Sequence, residues 1–170
     1  MKLRNITLAA VALIAATITI GFFTLGGATG LASEGKGSRA LEGSWKVRLT
    51  PTSNTPQFDE FMTFAAGGGI VESNNFPFHM LPPSGLAAGP GHGTWRYAGA
   101  HQFPFTFIKF LFTPQGNAAG TLKVTGTITY SPADDTWSGP ATVAICDNQA
   151  NNCFTIDVTN GQATRIVAGS

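Results

Sequence analysis

The sequence predicts an all-β domain: an antiparallel up-and-down meander of eight or nine strands closed into a barrel. Three observations carry that expectation. From residue 41 onward, short runs of β-branched and aromatic residues alternate with Gly, Pro, Asn and Asp clusters, and no helical period interrupts them. The chain has 21 glycines and 13 phenylalanines with only 11% charged residues, which suits an apolar core joined by tight turns. Consecutive strands with short connections also leave two sheet edges, and rolling the sheet shut removes both. A two-layer sandwich is the competing arrangement.

The first segment precedes the domain. Lys2 and Arg4, the uncharged run 6–23, and the small residues Gly26, Gly27, Ala28 and then Gly30, Leu31, Ala32 read as a signal peptide over residues 1–32, cleaved after Ala32. The run is also long enough to span a bilayer, so an uncleaved anchor is the alternative. Either way the chain is expected to be exported, as a secreted, periplasmic or cell-envelope protein. Residues 33–40 read as a polar, flexible linker and residues 41–170 as the barrel domain.

Residues 41–50 alternate Trp45, Val47 and Leu49 with Lys46, Arg48 and Thr50, one dry face and one wet. Residues 58–65 and 70–73 flank a turn at Gly67, Gly68 and Gly69 and form a hairpin. Residues 74–90 are the longest irregular segment. Pro77, Pro82, Pro83 and Pro90 keep it out of a central strand, while Phe76, Phe78, Met80, Leu81 and Leu86 make it apolar for a loop. Two placements are open: over the mouth of a cavity, or packed as a flap on the outside.

Residues 93–98 are the next strand. In 102–113, Phe103, Phe105, Phe107, Phe110 and Phe112 put aromatic mass on both faces. Residues 120–130 show the cleanest alternation, with Leu122, Val124, Ile128 and Tyr130 opposing Thr121, Lys123, Thr125, Thr127 and Thr129. Strands at 137–146, 153–158 and 162–167 complete the set, with turns at 132–135, 147–152 and Asn160-Gly161.

Ten Lys/Arg, of which Lys2 and Arg4 fall in the leader, face nine Asp/Glu with no run of either sign. A nucleic-acid partner or an anionic membrane surface, which would require a basic patch, is therefore not expected, and no membrane contact is expected beyond the leader. The two cysteines, Cys146 and Cys153, flank a turn-forming stretch. In an exported chain they read as a disulfide across the base of a hairpin loop, worth about 2–3 kcal/mol in the chain-entropy model. A metal pair and a redox pair compete, but two thiols alone make a poor zinc site and the spacing is not that of a redox motif.

Gly43-x-Trp45 at the start of the first strand, with Arg165 near the end of the last, resembles the calycin superfamily of lipocalins, fatty-acid-binding proteins and related barrels. The likeness covers the architecture and these two short places. The second lipocalin motif, of Thr-Asp-Tyr type, is missing, as is a flanking helix before Arg165. The resemblance implies a calycin-like barrel in which Trp45 closes the narrow end and Arg165 packs across its ring. The series Gly91, His92, Gly93, Thr94, Trp95 and the strands after it are also similar to those of small exported bacterial barrels.

An eight-stranded barrel is either filled by its own side chains or holds one small ligand. The function expected is binding of a small hydrophobic molecule. Candidate lining residues are Phe64, Trp95, Phe105, Phe107, Tyr130 and Trp137, chosen for size and strand position; a solid aromatic core is the competing use of the same side chains. The alternative function is a cofactor-free isomerase or cyclase, resembling the allene-oxide-cyclase and dirigent barrels, with Glu60, His92 or Tyr130 supplying proton transfer or a dipole. Glu60 shares a face with Phe58, Met62 and Phe64, where burial would hold its proton more tightly. Glu72 also lies on an apolar strand. His92 is flanked by Gly91 and Gly93, which let backbone or ligand come close. No cofactor is implied, since the chain has neither a nucleophile elbow nor a phosphate-cradling loop. No metal site is expected from His79, His92 and His101, which share no short-spaced motif. A structural protein of the cell envelope with no ligand is the third reading.

Overall fold

The computed structural model describes residues 37–75 and 85–169. Its strands are β1 (Gly43–Pro51), β2 (Phe58–Phe64), β3 (Gly69–Asn74), β4 (Ala87–Ala88), β5 (Gly91–Trp95), β6 (Gln102–Phe112), β7 (Ala118–Ser131), β8 (Thr136–Cys146) and β9 (Phe154–Arg165). The leader at 1–32, the linker up to residue 36, and residues 76–84 with Phe76, Phe78, His79, Met80 and Leu81 lie outside the described residues.

All pairings are antiparallel, and they close. β1 pairs with β2, β2 with β3, β3 with β5, β5 with β6, β6 with β7, β7 with β8 and β8 with β9. β9 then returns to β1, from Trp45 opposite Arg165 to Pro51 opposite Thr159. The expected meander is thus a closed eight-stranded barrel, with β4 as an additional short strand. β4 continues the course of β5 along the same edge of β6: Ala88 faces Leu111 and His92 faces Ile108. Pro90 interrupts the ladder between them, and the N–H of Gly89 still donates to the carbonyl of Phe110 at 2.9 Å.

Period-two alternation sets the inside. Trp45, Val47 and Leu49 of β1, Glu60, Met62 and Phe64 of β2, Ile70 and Glu72 of β3, and Phe103, Phe105, Phe107, Lys109 and Leu111 of β6 are all buried. The phenylalanines of β6 therefore divide by parity. Phe103, Phe105 and Phe107 point inward, whereas Phe110 is 64% exposed.

Three sequence expectations change. β9 is one continuous strand: Asn160 pairs with Thr50 and Pro140, and Gly161 with Leu49 and Gly139, so Asn160-Gly161 is not a turn. Gly161 is needed for space, because a Cβ there would lie 3.1 Å from Cζ3 of Trp137. The strand expected over 93–98 instead runs Gly91–Trp95, and the irregular segment 74–90 contains β4.

The connections at 65–68, 96–101 and 132–135 gather at one end of the barrel, with Gly43 and Arg165; those at 52–57, 113–117 and 147–153 gather at the other. At that second end Cys146 and Cys153 form a disulfide with Cα atoms 4.0 Å apart, bridging the base of the β8–β9 loop. Inside the loop the Asp147 carboxylate accepts the N–H groups of Asn151 at 2.8 Å and Gln149 at 3.0 Å. Those bonds, with one from the Asn152 side chain, hold the exposed Asp147 carboxyl below its ordinary range.

Candidate functional site

The two ends of the barrel differ in chemistry. At the first end the interior is plugged by aromatic rings in edge-to-face contact. Trp45 meets Tyr130 at 6.2 Å and Trp137 at 6.4 Å between centroids; Phe64 meets Trp95 at 6.0 Å and Trp137 at 6.4 Å. The Trp45 indole N–H donates to the carbonyl of Leu41 at 2.9 Å. The Arg165 guanidinium lies 4.2 Å from the centroid of the Trp45 ring, a cation–π stack. The same guanidinium donates to the Asp135 carboxylate at 2.7 Å and to the carbonyls of Ala40 and Glu42, tying the segment before β1 across the barrel end. The hydrogen bond from Arg165 holds the Asp135 carboxyl below its usual range.

Beyond the plug the barrel is hollow. A cavity of about 170 Å³ opens toward the second end, walled by Leu49, Met62, Phe105, Phe107, Leu122 and Val124 and reaching Pro51, Ser53, Asn74, Ala88 and Asp157 near the mouth. Hollow space survives a phenylalanine-rich sequence because inward positions on several strands are glycine. Gly139 and Gly161 line the cavity directly. At Gly93 a Cβ would lie 2.5 Å from the Cα of Phe107, and at Gly91 one would lie 2.8 Å from the Phe107 ring. Of the described residues in the 74–90 segment, Asn74 and Ala88 line the cavity.

The cavity holds a charged cluster. The Lys109 ammonium on β6 lies 2.9 Å from Oε1 of Glu72 on β3, in hydrogen-bonding geometry, and 2.7 Å from Oε2, off the hydrogen-bonding direction. Lys109 is 2% exposed and Glu72 0%, so this is a fully buried ion pair. It reaches over β5 because residue 91 is glycine: a Cβ there would stand 2.7 Å from Oε2 of Glu72. The Asn74 side chain donates to Oε1 of Glu72 at 3.0 Å. Glu60, 5% exposed on β2, completes the cluster. Burial pushes its carboxyl well above the ordinary range; the charge of Glu72 and a hydrogen bond with it add to the rise, and Lys109 works against it. Two carboxyls against one ammonium balance only when the carboxyl pair keeps one proton.

A carboxyl whose folded pKa exceeds its unfolded value lends stability that is complete below the unfolded value and lost as pH rises through the folded one. Glu60→Gln, which keeps shape and a hydrogen-bond donor, should therefore match the parent near pH 4.5. At higher pH it should become the more stable, by at most about 1.4 kcal/mol per pH unit. Urea midpoints from pH 4.5 to 8.5 measure this, and a parallel pair of curves would refute it.

Trp137 and Thr159 also line the cavity; the indole Nε1 of the first and the hydroxyl of the second are buried and have no hydrogen-bond partner among the described residues. Around the eight-strand ring, β8, which carries Trp137, lies four strands from β3 in either direction. At the mouth, burial pushes the Asp157 carboxyl up. Bonds from the Ser53 and Thr52 hydroxyls and the N–H groups of Val158 and Ser53 outweigh it and hold the group below its usual range.

Of the six lining candidates, Phe105, Phe107 and Trp137 line the cavity, whereas Phe64, Trp95 and Tyr130 belong to the plug; Trp137 touches both. The three proton-transfer candidates do not converge. Glu60 is in the cavity; His92 is exposed on the outer wall; Tyr130 donates to Asp135 at 3.0 Å beside Arg165. The glycines flanking His92 make room for Phe107 and Glu72, on the face opposite the imidazole. Lys109 and Thr159 escaped the sequence reading, although Lys109 shares parity with Phe103, Phe105 and Phe107. No protein-family model matches the chain, and no curated protein matches it.

Proposed function

We propose that the chain is an exported, calycin-like barrel that binds one small, largely apolar molecule in its interior. The observation that carries this reading is the cavity: a largely apolar wall around about 170 Å³, lined by Phe105, Phe107, Leu122, Val124 and Trp137 among others. Apolar cavities of about 150 Å³ accommodate benzene, so the volume suits a single substituted ring. The disulfide fits an oxidising compartment outside the cytoplasm. The isomerase alternative retains only Glu60 of its three groups inside the cavity, so binding is the reading adopted.

The experiment is titration of the folded domain with 2-phenylethanol, followed by the indole N–H resonance of Trp137 and by calorimetry. The expected result is saturable, one-to-one binding that shifts this resonance. Binding should be lost in Ala141→Leu, which adds bulk to the cavity wall, with urea unfolding confirming that the variant is folded. Absence of saturation in the parent, or unaltered binding in a folded Ala141→Leu, would refute it.

A further inference from the structure

The charge balance of the cavity identifies the ligand more closely than its volume does. We propose that the cavity takes a small apolar amine, bound as its ammonium ion against the Glu60–Glu72 carboxyl pair. This rests on the binding function proposed above and adds the chemical class.

Among the described residues that line the cavity, the ionisable ones are Glu60, Glu72, Lys109 and Asp157, three acids against one base. The inward residues of β1 beside Glu60 are uncharged Trp45, Val47 and Leu49, so no other cation faces it from that side. Lys109 donates to Oε1 of Glu72 and lies 2.7 Å from Oε2. It balances one carboxylate and leaves the second without a counter-charge. A ligand carboxylate would add a further negative charge to this buried group and is disfavoured. A neutral alcohol leaves the cluster as it is. An alkylammonium supplies the one positive charge that is missing, and its donors suit an acceptor-only carboxylate pair.

The exchange balances. The ligand enters with its positive charge, Glu60 releases its proton to solvent, and the Glu60–Glu72–Lys109 cluster then holds two carboxylates against two ammonium groups, with Asp157 apart from it near the mouth.

The test compares three probes that share a ring and differ in the head: phenethylamine, 2-phenylethanol and phenylacetate. Calorimetry at pH 5.5 in two buffers of different ionisation enthalpy should show proton release on binding phenethylamine and none for the alcohol. While Glu60 is protonated in the free protein, amine affinity should rise up to about tenfold per pH unit. Glu60→Gln should weaken the amine about ten- to a hundredfold and remove its pH dependence. Alcohol binding as tight as the amine without proton release, or phenylacetate as the tightest probe, overturns the amine assignment and leaves the barrel as a ligand binder. If none of the three saturates, the proposed function itself fails. The proton count and pH slope of the parent protein decide the matter even if Glu60→Gln does not fold.

Discussion

Lys109→Met should lower stability by about 3–5 kcal/mol at pH 7.5, the cost typical of removing one partner from a buried ion pair. Met keeps most of the volume and the straight-chain shape of lysine, so packing alone predicts a small loss. The large term is electrostatic. Without the ammonium, Glu72, 0% exposed, keeps the Asn74 donor at 3.0 Å, while its charge goes unbalanced. Lys109 works against the rise of the Glu60 carboxyl, so without it that carboxyl keeps its proton to higher pH, and the deficit should shrink as pH falls from 7.5 toward 4.5. The combined variant Lys109→Met, Glu72→Leu, Glu60→Leu should recover most of the loss or exceed the parent, because replacing a buried charged group by apolar side chains is often neutral or stabilising. Denaturant unfolding at the two pH values measures both effects. A Lys109→Met loss below about 1 kcal/mol, independent of pH, would mean that the cluster is solvated.

If the triple apolar variant is the more stable molecule, the cluster is kept for a reason other than folding, and the cavity it faces supplies one. Buried titratable groups of this kind concentrate at functional sites. How far this site was legible follows from parity. Alternation along β2 places Glu60 beside Phe58, Met62 and Phe64, and the same rule applied to β6 puts Lys109 on the face of Phe103, Phe105 and Phe107. Five phenylalanines in ten residues hide that rule, because Phe110 and Phe112 fall on the opposite parity and make both faces look dry. The Lys109–Glu72 pair is a property of register. It depends on β3, β5 and β6 lying side by side and on a bare Gly91 between them, and no local pattern states which strands will be neighbours. Gly91, Gly93 and Gly161 illustrate the same limit: a glycine read as a turn or a ligand approach is, in the folded barrel, room for Phe107, Glu72 or Trp137. By contrast, the two ends of the chain carried their message openly. Gly43, Trp45 and Arg165 are far apart in sequence, yet the resemblance they suggested implies a meeting that the β1–β9 pairing realises.

That meeting leads to the other large effect, Trp45→Ala, expected to cost about 3–5 kcal/mol. Trp45 is 0% exposed and touches both Tyr130 and Trp137 edge-on, so truncation opens a cavity at the centre of the plug. It also removes the donor to the Leu41 carbonyl. Trp45→Phe separates the two losses: the ring and most of the volume remain and the N–H is gone, so it should cost well under half as much as Trp45→Ala. The stack with Arg165 is then isolated by a double-mutant cycle. Arg165→Met in the parent loses the Asp135 pair, the bonds to the Ala40 and Glu42 carbonyls and the cation–π contact together; in the Trp45→Ala background the last is already absent. Arg165→Met should therefore cost less there, by about 0.5–2 kcal/mol, a range set by how far the stacked guanidinium is desolvated. An equal cost in both backgrounds would assign the whole effect of Arg165 to its hydrogen bonds, and the ring of Trp45 would then serve only as packing.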